Sequence, residues 1–484
     1  MSAIIAVLNK KGENAVPTAI AMLETLKTRN SKAFGIGTCK MTRTESTINM
    51  VEKQKIDSPI LVGIVVSQRN EHLPLTKLEN AALAFSGRIY PKTPEESVKI
   101  AAETFREKRE PAAKTLVQKF EGNFAFAVAE PKKLIAGRNE MGIHPLYYGE
   151  NADLAVLASE HKAFWKTQIK QTRSFPLGHI AVMDKDGFNF IPVKTLTNSK
   201  PKKTSMQTAA RKLQKLLQQS MKKRVIGSKE IAVAFSGGLD SAIIAFLAKN
   251  FGANVCLIHV SLEKQRETEH AKEVADKLGL PIHVYLYNER EVEKTIQKVV
   301  WITEEADPVK TSIAIPVYWT AERTSQMKIE TLFTGSGADE MFGGYKRYVE
   351  EYLEFGDEKT RQTMFNDVFK LHKTDLDRDL KICNFHNVEL CLPFATYRMA
   401  EFATSLPVNL KIGHSENSLR KLVLRQVAEN MGMPKLVTEK PKKAMQYTTG
   451  VSNALKKLAK KEGLSVAGYL NEVFQATLKE KGIR

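Results

Sequence analysis

Two glycine-rich segments of the chain contain residue types that bind phosphate groups and divalent cations. The first is Ser236-Gly-Gly-Leu-Asp-Ser241, which directly follows an apolar run at residues 231–235. Glycines let backbone N–H groups approach phosphate oxygens, serine hydroxyls add donors, and the N-terminus of a following helix attracts negative charge. Candidate phosphate-binding residues are therefore Phe235 at the strand end and, in the loop, Ser236, Gly237, Gly238 and Ser241.

Asp240 gives this loop its particular chemistry. A carboxylate repels bare phosphate, so its useful role there is to bind Mg²⁺ that bridges pyrophosphate. The loop lacks the Gly-Lys-Ser/Thr ending of a Walker motif. A tight strand-to-helix turn without a ligand is the simpler alternative. Two glycines, an acid and flanking serines in this context favour instead a pyrophosphate loop of an enzyme that splits ATP and forms AMP.

The second segment is Thr-Gly-Ser-Gly-Ala-Asp-Glu-Met-Phe-Gly-Gly-Tyr at residues 334–345, which follows the short apolar run at 332–333. Gly335 begins its glycine turn, and Asp339 could supply a second carboxylate for Mg²⁺, a cation that prefers oxygen ligands. A glycine-rich turn with solvated acids is the alternative. Its position at another strand end is the reason to consider it part of the same site.

The elements around these segments predict a two-domain chain. Residues 1–195 contain short apolar or alternating runs separated by turn formers, which indicate an α+β domain with much sheet. Residues 196–206 have no apolar periodicity and are typical of a linker. Residues 207–484 begin with alternating strands and helices, a pattern that predicts an α/β domain with a parallel sheet, and they continue from about residue 346 as amphipathic helices.

Composition limits the class of protein. The 484 residues include 73 Lys and Arg against 54 Asp and Glu, a formal charge of +19 that favours contact with polyanions. Nucleic-acid binding stays open, although no recognition motif supports it. Four separated cysteines are too few for a disulfide framework, and residues 1–11 lack the order of a signal peptide. We expect a cytoplasmic protein without a membrane span.

Segments in the second half resemble the synthetase domain of glutamine-dependent asparagine synthetases. The two glycine-rich segments stand in the order found in that family, as do Glu304-Glu-Ala-Asp307, Val388-Glu-Leu-Cys-Leu-Pro-Phe394 and Glu439-Lys-Pro-Lys-Lys-Ala-Met-Gln446. The resemblance implies a fold of the adenine nucleotide alpha hydrolase type, with the first segment as its PP-loop. It also implies formation of β-aspartyl-AMP with release of pyrophosphate, followed by attack of ammonia.

The same resemblance assigns roles by position. It implies that Val260 lines the adenine pocket and that Asp240 and Asp339 bind Mg²⁺. Glu304 matches the glutamate that takes the proton of attacking ammonia, and Lys442 matches the lysine that neutralises charge developing on phosphate, with Lys443 beside it. The residues implied to bind ATP and pyrophosphate are Phe235, Ser236, Gly237, Gly238, Asp240, Ser241, Val260 and Gly335.

The chain departs from the family pattern near the acceptor site. The family usually reads Gly-Glu-Gly-Ser-Asp-Glu, whereas Ser336 stands here for the first Glu and Ala338 for the Ser. Cys391 and Ser312 stand where the family has arginines. Because carboxylate recognition favours arginine, these changes open the question of whether aspartate is the acceptor.

The first half resembles a class II glutamine amidotransferase domain, which has an Ntn-hydrolase fold of sandwiched sheets. Gly122-Asn-Phe-Ala-Phe-Ala and Gly137-Arg-Asn-Glu-Met-Gly-Ile-His-Pro-Leu-Tyr147 carry the similarity. Working members use an N-terminal cysteine, but Ser2 occupies that place. Ser86 and Gly87 stand where the family has the Asn-Gly of its oxyanion hole, and Val65 stands near the expected arginine. We therefore expect a degenerate glutaminase site.

Three hypotheses follow. The first is an ATP- and Mg²⁺-dependent asparagine synthetase-like ligase that uses free ammonia or ammonia from a separate protein. The second is a related ligase that amidates a different carboxylate or a tRNA base, which the positive charge would suit. The third is a regulator that binds ATP without turnover. The retained acids and Lys442 speak against the third, and assembly as a homodimer is left open.

Overall fold

The computed structural model describes residues 2–28, 30–67, 74–106, 109–415, 418–441 and 445–483, without the side chains of residues 446 and 447. Residues up to Thr195 form one compact unit, and residues from Leu196 to Gly482 form another. We call them unit 1 and unit 2. A search of the described residues finds no helix that is long and apolar enough to cross a membrane.

Unit 1 is built on two antiparallel sheets. One sheet has the strand order β11-β9-β10-β1-β4-β2-β3 and the other has the order β13-β12-β8-β7-β6-β5. The strands are β1 (Ser2–Asn9), β2 (Ala33–Gly37), β3 (Thr42–Glu45), β4 (Ile60–Val66), β5 (Leu75–Leu78), β6 (Ala81–Ile89), β7 (Gly122–Ala129), β8 (Leu134–Arg138), β9 (Tyr147–Glu150), β10 (Leu154–Ala158), β11 (Arg173–Ser174), β12 (His179–Asp184) and β13 (Gly187–Pro192).

The two sheets of unit 1 pack face to face and carry helices on their outer faces. One apolar cluster contains alternate residues of both sheets, for example Ile4 of β1 and Ala127 of β7. The intervening residues face helices: Ile5 and Val7 join the cluster of α1 (Val16–Leu26) and α2 (Ile48–Glu52). The other sheet is covered by α3 (Pro94–Thr104) and α4 (Arg109–Lys119). The predicted α+β architecture with sandwiched sheets is confirmed.

Unit 2 contains a parallel sheet of order β16-β15-β14-β17-β18. Its strands are β14 (Glu230–Ala234), β15 (Asn254–Leu262), β16 (Ile282–Tyr287), β17 (Thr331–Phe333) and β18 (Glu389–Cys391). Strands β14, β15 and β16 lie within one residue of the strands that the apolar runs at residues 231–235, 255–261 and 282–287 predict. Strands β14, β15, β17 and β18 are largely buried, which explains their mostly apolar composition, whereas the edge strand β16 is partly exposed. The predicted α/β class is confirmed.

The helices of unit 2 cover this sheet and form the rest of the chain. They are α5 (Met206–Val225), α6 (Leu239–Asn250), α7 (Arg266–Leu278), α8 (Glu289–Thr303), α9 (Pro308–Gln326), α10 (Ala338–Phe342), α11 (Lys346–Leu371), α12 (Asp377–Phe385), α13 (Tyr397–Thr404), α14 (Leu422–Asn430), α15 (Lys435–Thr438), α16 (Met445–Thr448), α17 (Val451–Lys461) and α18 (Val466–Glu480). A π-helical turn at His372–Leu376 joins α11 to α12. The helical C-terminal part is as predicted, except for the short strand β18.

Candidate active site

The loop after β14 is shaped by its own serines and glycines. Ser236 Oγ accepts a hydrogen bond from Gly238 N at 3.2 Å, and Ser241 Oγ accepts one from Ser236 N at 3.3 Å. Gly237 has a φ of 68°, and a Cβ there would lie 2.9 Å from Ala271 Cα, so this turn requires glycine. Gly238 is the N-cap of α6, which places the loop at a helix N-terminus.

The second glycine-rich segment lies directly against this loop. Strand β17 pairs in parallel with β14, with Val233 opposite Phe333, so both segments leave the same edge of the sheet. A Cβ on Gly335 would lie 2.7 Å from Asp240 Cβ, which shows how closely the two backbones pack. The structure therefore brings together two segments that the sequence separates by about a hundred residues.

One lysine joins the two acids of these segments. Lys421 Nζ lies 2.6 Å from Asp240 Oδ2 and 2.6 Å from Asp339 Oδ1, and the lysine side chain is only 2% exposed. Lys421 is the N-cap of α14. The sequence does not reveal this residue, because a lysine beside Arg420 resembles an ordinary solvated basic run.

The two acids also fit a divalent cation. Asp240 Oδ1 is buried and has no hydrogen-bond partner among the described residues. A search of the described part of the chain finds no cluster of three or more His, Cys, Asp or Glu suited to a metal. Mg²⁺ commonly takes one or two protein carboxylates and completes its shell with water and substrate phosphates. Asp240 and Asp339 thus suit a cation that arrives together with a nucleotide.

Glu340 lies on the inner side of the second segment. Its side chain is buried, and Tyr345 Oη donates a hydrogen bond to Glu340 Oε1. Burial, with Asp375 and Asp339 nearby, raises the pKa of Glu340 to about 8. The same surroundings raise the pKa of the Tyr345 hydroxyl far above its usual value. These surroundings therefore favour the protonated, uncharged form of Glu340 over the carboxylate.

Glu304 sits in a second buried ion pair. It ends α8 in a left-handed conformation, with a φ of 65°. Lys381 Nζ on α12 lies 2.6 Å from Glu304 Oε2 and 2.9 Å from Asp377 Oδ2, and the Glu304 and Lys381 side chains are 1% and 2% exposed. A left-handed residue other than glycine is strained and persists only where its surroundings fix it. The sequence predicted Glu304 as a site residue but missed Lys381.

The residues that depart from the family pattern have other partners here. Ser336 Oγ donates to Asp379 Oδ2 at 3.3 Å, and Asp379 is paired with the buried Arg378 at 2.8 Å. Ser312 Oγ donates to the carbonyl of Val309, and Cys391 is fully buried on β18. A buried cation is therefore present near Ser336, but it is Arg378 on α12 and not an arginine at position 312 or 391.

Arg378 carries two ion pairs. Besides Asp379, its guanidinium pairs with Asp375 at 3.0 Å, and the side chain is 4% exposed. The pKa of Arg378 is raised far above its usual value because the two carboxylates outweigh the opposing effect of burial, the largest single contribution. Only the three-dimensional arrangement reveals this residue, since Asp and Arg three residues apart are typical of a solvated helix.

The other predicted nucleotide residues are placed as follows. Phe235 and Val260 are buried, Val260 on β15 beside β14. Whether Val260 lines an adenine pocket stays a prediction. Lys442 and Lys443 lie outside the described residues.

In the candidate glutaminase site of unit 1, the described side-chain contacts of Ser2 are with uncharged groups. Ser2 Oγ lies 3.0 Å from Ser86 Oγ, and the Ser86 hydroxyl also donates to the carbonyl of Ser2. Gly87 has a φ of 111°, and a Cβ there would lie 1.9 Å from the Asn123 carbonyl oxygen, so this glycine is required by its backbone. Val65 is 4% exposed and packs in the apolar cluster of α1 and α2. A buried valine cannot replace a cation.

Comparisons with known proteins agree with the motifs in both units. A family model described as asparagine synthase matches residues 212–481, and a glutamine amidotransferase domain model matches residues 62–166. A Methanocaldococcus jannaschii protein named asparagine synthetase [glutamine-hydrolyzing] 1 is 29% identical over 396 residues, which cover 72% of this chain and 73% of that protein. Asparagine synthetase [glutamine-hydrolyzing] 2 of Arabidopsis thaliana is 26% identical over 354 residues, which cover 69% of this chain.

The chain spans only 60% of the length of that Arabidopsis protein. A glutamine phosphoribosylpyrophosphate amidotransferase structure from B. subtilis covers 58% of this chain at 15% identity and a TM-score of 0.35, and an NMN synthetase from Francisella tularensis covers 57% with a TM-score of 0.26. Similarity at that level adds nothing to the assignment. Since the asparagine synthase model matches more than half of its residues, the chain belongs to the asparagine synthase family of ATP-dependent ligases.

Proposed function

We propose that this ligase joins a carboxylate to AMP and then converts the acyl-adenylate to an amide with ammonia. The first candidate for the carboxylate is that of the aspartate side chain. One observation carries the proposal. The two acidic loops meet at one sheet edge with Asp240 and Asp339 around a common point, and the donors of Ser236, Gly238 and Ser241 are beside them. A regulator without turnover has no need for this costly concentration of buried charge.

In the first step the acceptor carboxylate oxygen attacks the α-phosphorus of ATP, and the bond to the bridging oxygen of pyrophosphate breaks. The N–H groups and hydroxyls of residues 236–241 hold the departing pyrophosphate at the N-terminus of α6. Mg²⁺ bound by Asp240 and Asp339 would neutralise charge on the phosphates. Lys442, by the resemblance, neutralises charge on the α-phosphate.

In the second step ammonia attacks the acyl carbon, AMP leaves, and the nitrogen loses a proton. Glu304 is the proposed acceptor of that proton. Its pairing with Lys381 at 2.6 Å favours the ionised carboxylate, the form that a general base requires. Asp377 pairs with the same lysine at 2.9 Å, so the positive charge of Lys381 is shared between two carboxylates. Glu304 therefore feels less than the full effect of this charge and can still accept a proton.

The second candidate function is a ligase that acts on a different acceptor carboxylate, and the ion pairs of one buried arginine favour it. Arg378, the buried guanidinium near Ser336, is already paired with Asp375 and Asp379. An aspartate substrate would have to compete with two protein carboxylates for this cation. A tRNA base as acceptor has only the overall charge of +19 in its favour.

The proposed nitrogen donor is ammonia, free or supplied by another protein, rather than glutamine. Ser2 is a far weaker nucleophile than a cysteine thiolate. Ser86 replaces the side-chain amide of the oxyanion hole, and its hydroxyl is engaged with Ser2. Unit 1 would then serve as a scaffold without glutaminase activity.

Pyrophosphate release separates these candidates. The full-length protein is assayed with ATP and Mg²⁺ plus aspartate and ammonium, aspartate and glutamine, or tRNA, and the amide product is followed by mass spectrometry. The proposal expects release and asparagine with ammonium but not with glutamine. The absence of pyrophosphate release with aspartate under either nitrogen source would contradict the aspartate assignment, and release with tRNA alone would favour the second candidate.

A further inference from the structure

Lys421 is an unusual residue at the proposed metal site, because it contributes a positive charge where a metal is expected. Its Nζ lies 2.6 Å from one oxygen of Asp240 and 2.6 Å from one of Asp339. The two carboxylate oxygens are therefore at most twice 2.6 Å apart. Mg²⁺ binds oxygen at about 2.1 Å, so a cation bridging the same two oxygens would need nearly the same position.

The surroundings of Lys421 are shaped to hold it there. Its backbone is left-handed, with a φ of 61°, a conformation that costs a lysine about 1 kcal/mol or more. A Cβ on Gly344 would lie 2.5 Å from Lys421 Cε and 1.7 Å from Asp339 Oδ1, so glycine at this position makes room for the lysine stem. Arg420 Nη1 donates to the Gly344 carbonyl at 2.7 Å and fixes this stretch of backbone.

We propose that Lys421 is a positioning residue that holds Asp240 and Asp339 together while no metal is bound, and that a divalent cation displaces its ammonium from between them. The proposal rests on the metal site in the proposed function. Two carboxylates without a cation would repel each other and move apart. The ammonium keeps them assembled, and as a single charge on a flexible stem it can withdraw when a doubly charged ion arrives.

A direct consequence concerns metal affinity. A divalent cation that binds the free protein must compete with Lys421, so the wild-type site is weaker than the carboxylates alone would be. This restricts tight binding to a metal that comes with phosphate oxygens, as Mg²⁺·ATP does. Removing the ammonium should therefore strengthen binding of the metal alone.

The chain offers a matched control. Lys381 is also 2% exposed and also lies between two carboxylates, those of Glu304 and Asp377. Lys421→Gln and Lys381→Gln each remove one buried positive charge from a pair of acids, but only the first change is at the proposed metal site. Mn²⁺ without nucleotide is the probe, and free Mn²⁺ is measured by electron paramagnetic resonance on the full-length chain.

We expect Lys421→Gln to bind Mn²⁺ on the order of tenfold or more tightly than wild type, whereas Lys381→Gln binds it as wild type does. An affinity that is unchanged or weaker in Lys421→Gln would overturn the proposal. Asp240→Asn identifies the site: if Mn²⁺ binding is the same with and without this change, the metal assignment in the proposed function fails as well. If binding needs Asp240 but ignores Lys421, only the role of Lys421 fails.

A measurement on the wild-type protein covers the case in which Lys421→Gln does not fold. Trace labelling with acetic anhydride, read by peptide mass spectrometry, reports how accessible each amine is. Saturating Mn²⁺ should raise the reactivity of Lys421 severalfold and leave that of Lys381 unchanged. Equal responses of the two lysines, or protection of Lys421, would contradict displacement.

Discussion

The two units each place candidate chemistry at the end of a strand, but they differ in the charge they bury there. In unit 1 the groups around Ser2 are hydroxyls that bond to each other, and Val65 is part of the apolar core. In unit 2 the groups are acids and lysines in pairs at 2.6 Å. The described side-chain contacts of Ser2 are thus between uncharged groups, whereas those of Asp240, Asp339 and Glu304 are buried ion pairs.

This difference bears on function because buried ions are expensive. Removing a carboxylate and an ammonium from water costs several kcal/mol for each, and replacing such pairs with apolar residues is often neutral or stabilising. A site that is no longer used would lose nothing by becoming neutral, and the uncharged contacts of Ser2 are consistent with the proposed loss of glutaminase activity. Lys421 and Lys381 are both kept with two acids each, which we interpret as the mark of a working site.

The strongest test of the comparison is at Asp240. Asp240→Ala should lower ATP-dependent pyrophosphate release by about 10³-fold or more, because it removes a proposed metal ligand and one of the two acids that Lys421 holds. The control is Asp276→Ala, an exposed acid on α7. Full activity in Asp240→Ala would show that the charge at this strand end is as dispensable as that of unit 1.

Glu304 separates the two proposed steps. Glu304→Gln keeps the shape of the side chain but removes the base, so amide formation should fall by about 10²-fold while ATP–pyrophosphate exchange with the acceptor persists. The neighbouring Glu305 is the control, since its pair with Lys310 is about one third exposed. Equal loss of exchange and of amide formation would mean that Glu304 positions the nucleotide rather than handling the proton.

The sequence predicted the strands and loops that position the site better than the buried lysines that pair with its acids. The loop at residues 236–241 and the strands before it followed from apolar runs and glycine turns, which are local signals. The meeting of Asp240 with Asp339 was one of two alternatives that the strand ends left open, and the resemblance to a family favoured it. Local signals could not decide, because parallel pairing of β14 with β17 depends on a crossover of about a hundred residues. Lys421 and Lys381 were missed because a lysine's burial depends on contacts from distant elements.

Unit 1 shows the same limit in its sheets. The apolar runs at residues 4–8, 59–66, 124–129 and 154–158 predict β1, β4, β7 and β10 within two residues, since each is a central strand with strongly apolar composition. The edge strand β3, Thr42–Glu45, was missed because its residues are polar and only partly buried. Neighbouring strands, and not its own composition, stabilise such a strand.

Lys411 tests whether a buried ion outside the proposed site is costly. It is 3% exposed, and burial, with a smaller contribution from Arg361, lowers its pKa to about 7 despite Asp357. Between about pH 7 and 10.5 the unfolded chain holds a proton that the folded chain has lost, so wild-type stability rises with pH in that window. Lys411→Met should be more stable than wild type at pH 6 by several kcal/mol, because the folded wild-type chain then buries a charged ammonium.

The stability advantage of Lys411→Met over wild type should shrink as the pH is raised to 9.5. The variant lacks the titrating lysine, so only the wild-type protein gains stability over this range. Thermal unfolding at several pH values measures it, with Lys215→Met on the exposed face of α5 as the control. A difference between Lys411→Met and wild type that stays constant with pH would show that packing, and not charge, decides the stability at this position.

The smallest expected effect is at Ser2, where the comparison predicts no change. Ser2→Ala should leave ammonium-dependent pyrophosphate release within about twofold of wild type, because a change this small is within what a surface or scaffold position produces.

Ser2→Cys goes further, since it introduces the thiol but leaves Ser86 and Val65 as they are. Glutamine hydrolysis, measured as released glutamate, should stay at background in Ser2→Cys, because a nucleophile without an oxyanion-hole amide and a cation for the substrate carboxylate lacks most of its stabilising partners. Glutaminase activity in that variant would mean that the strand end around Ser2 still holds a complete site apart from one sulfur atom, and unit 1 would then be an enzyme one substitution from function rather than a scaffold.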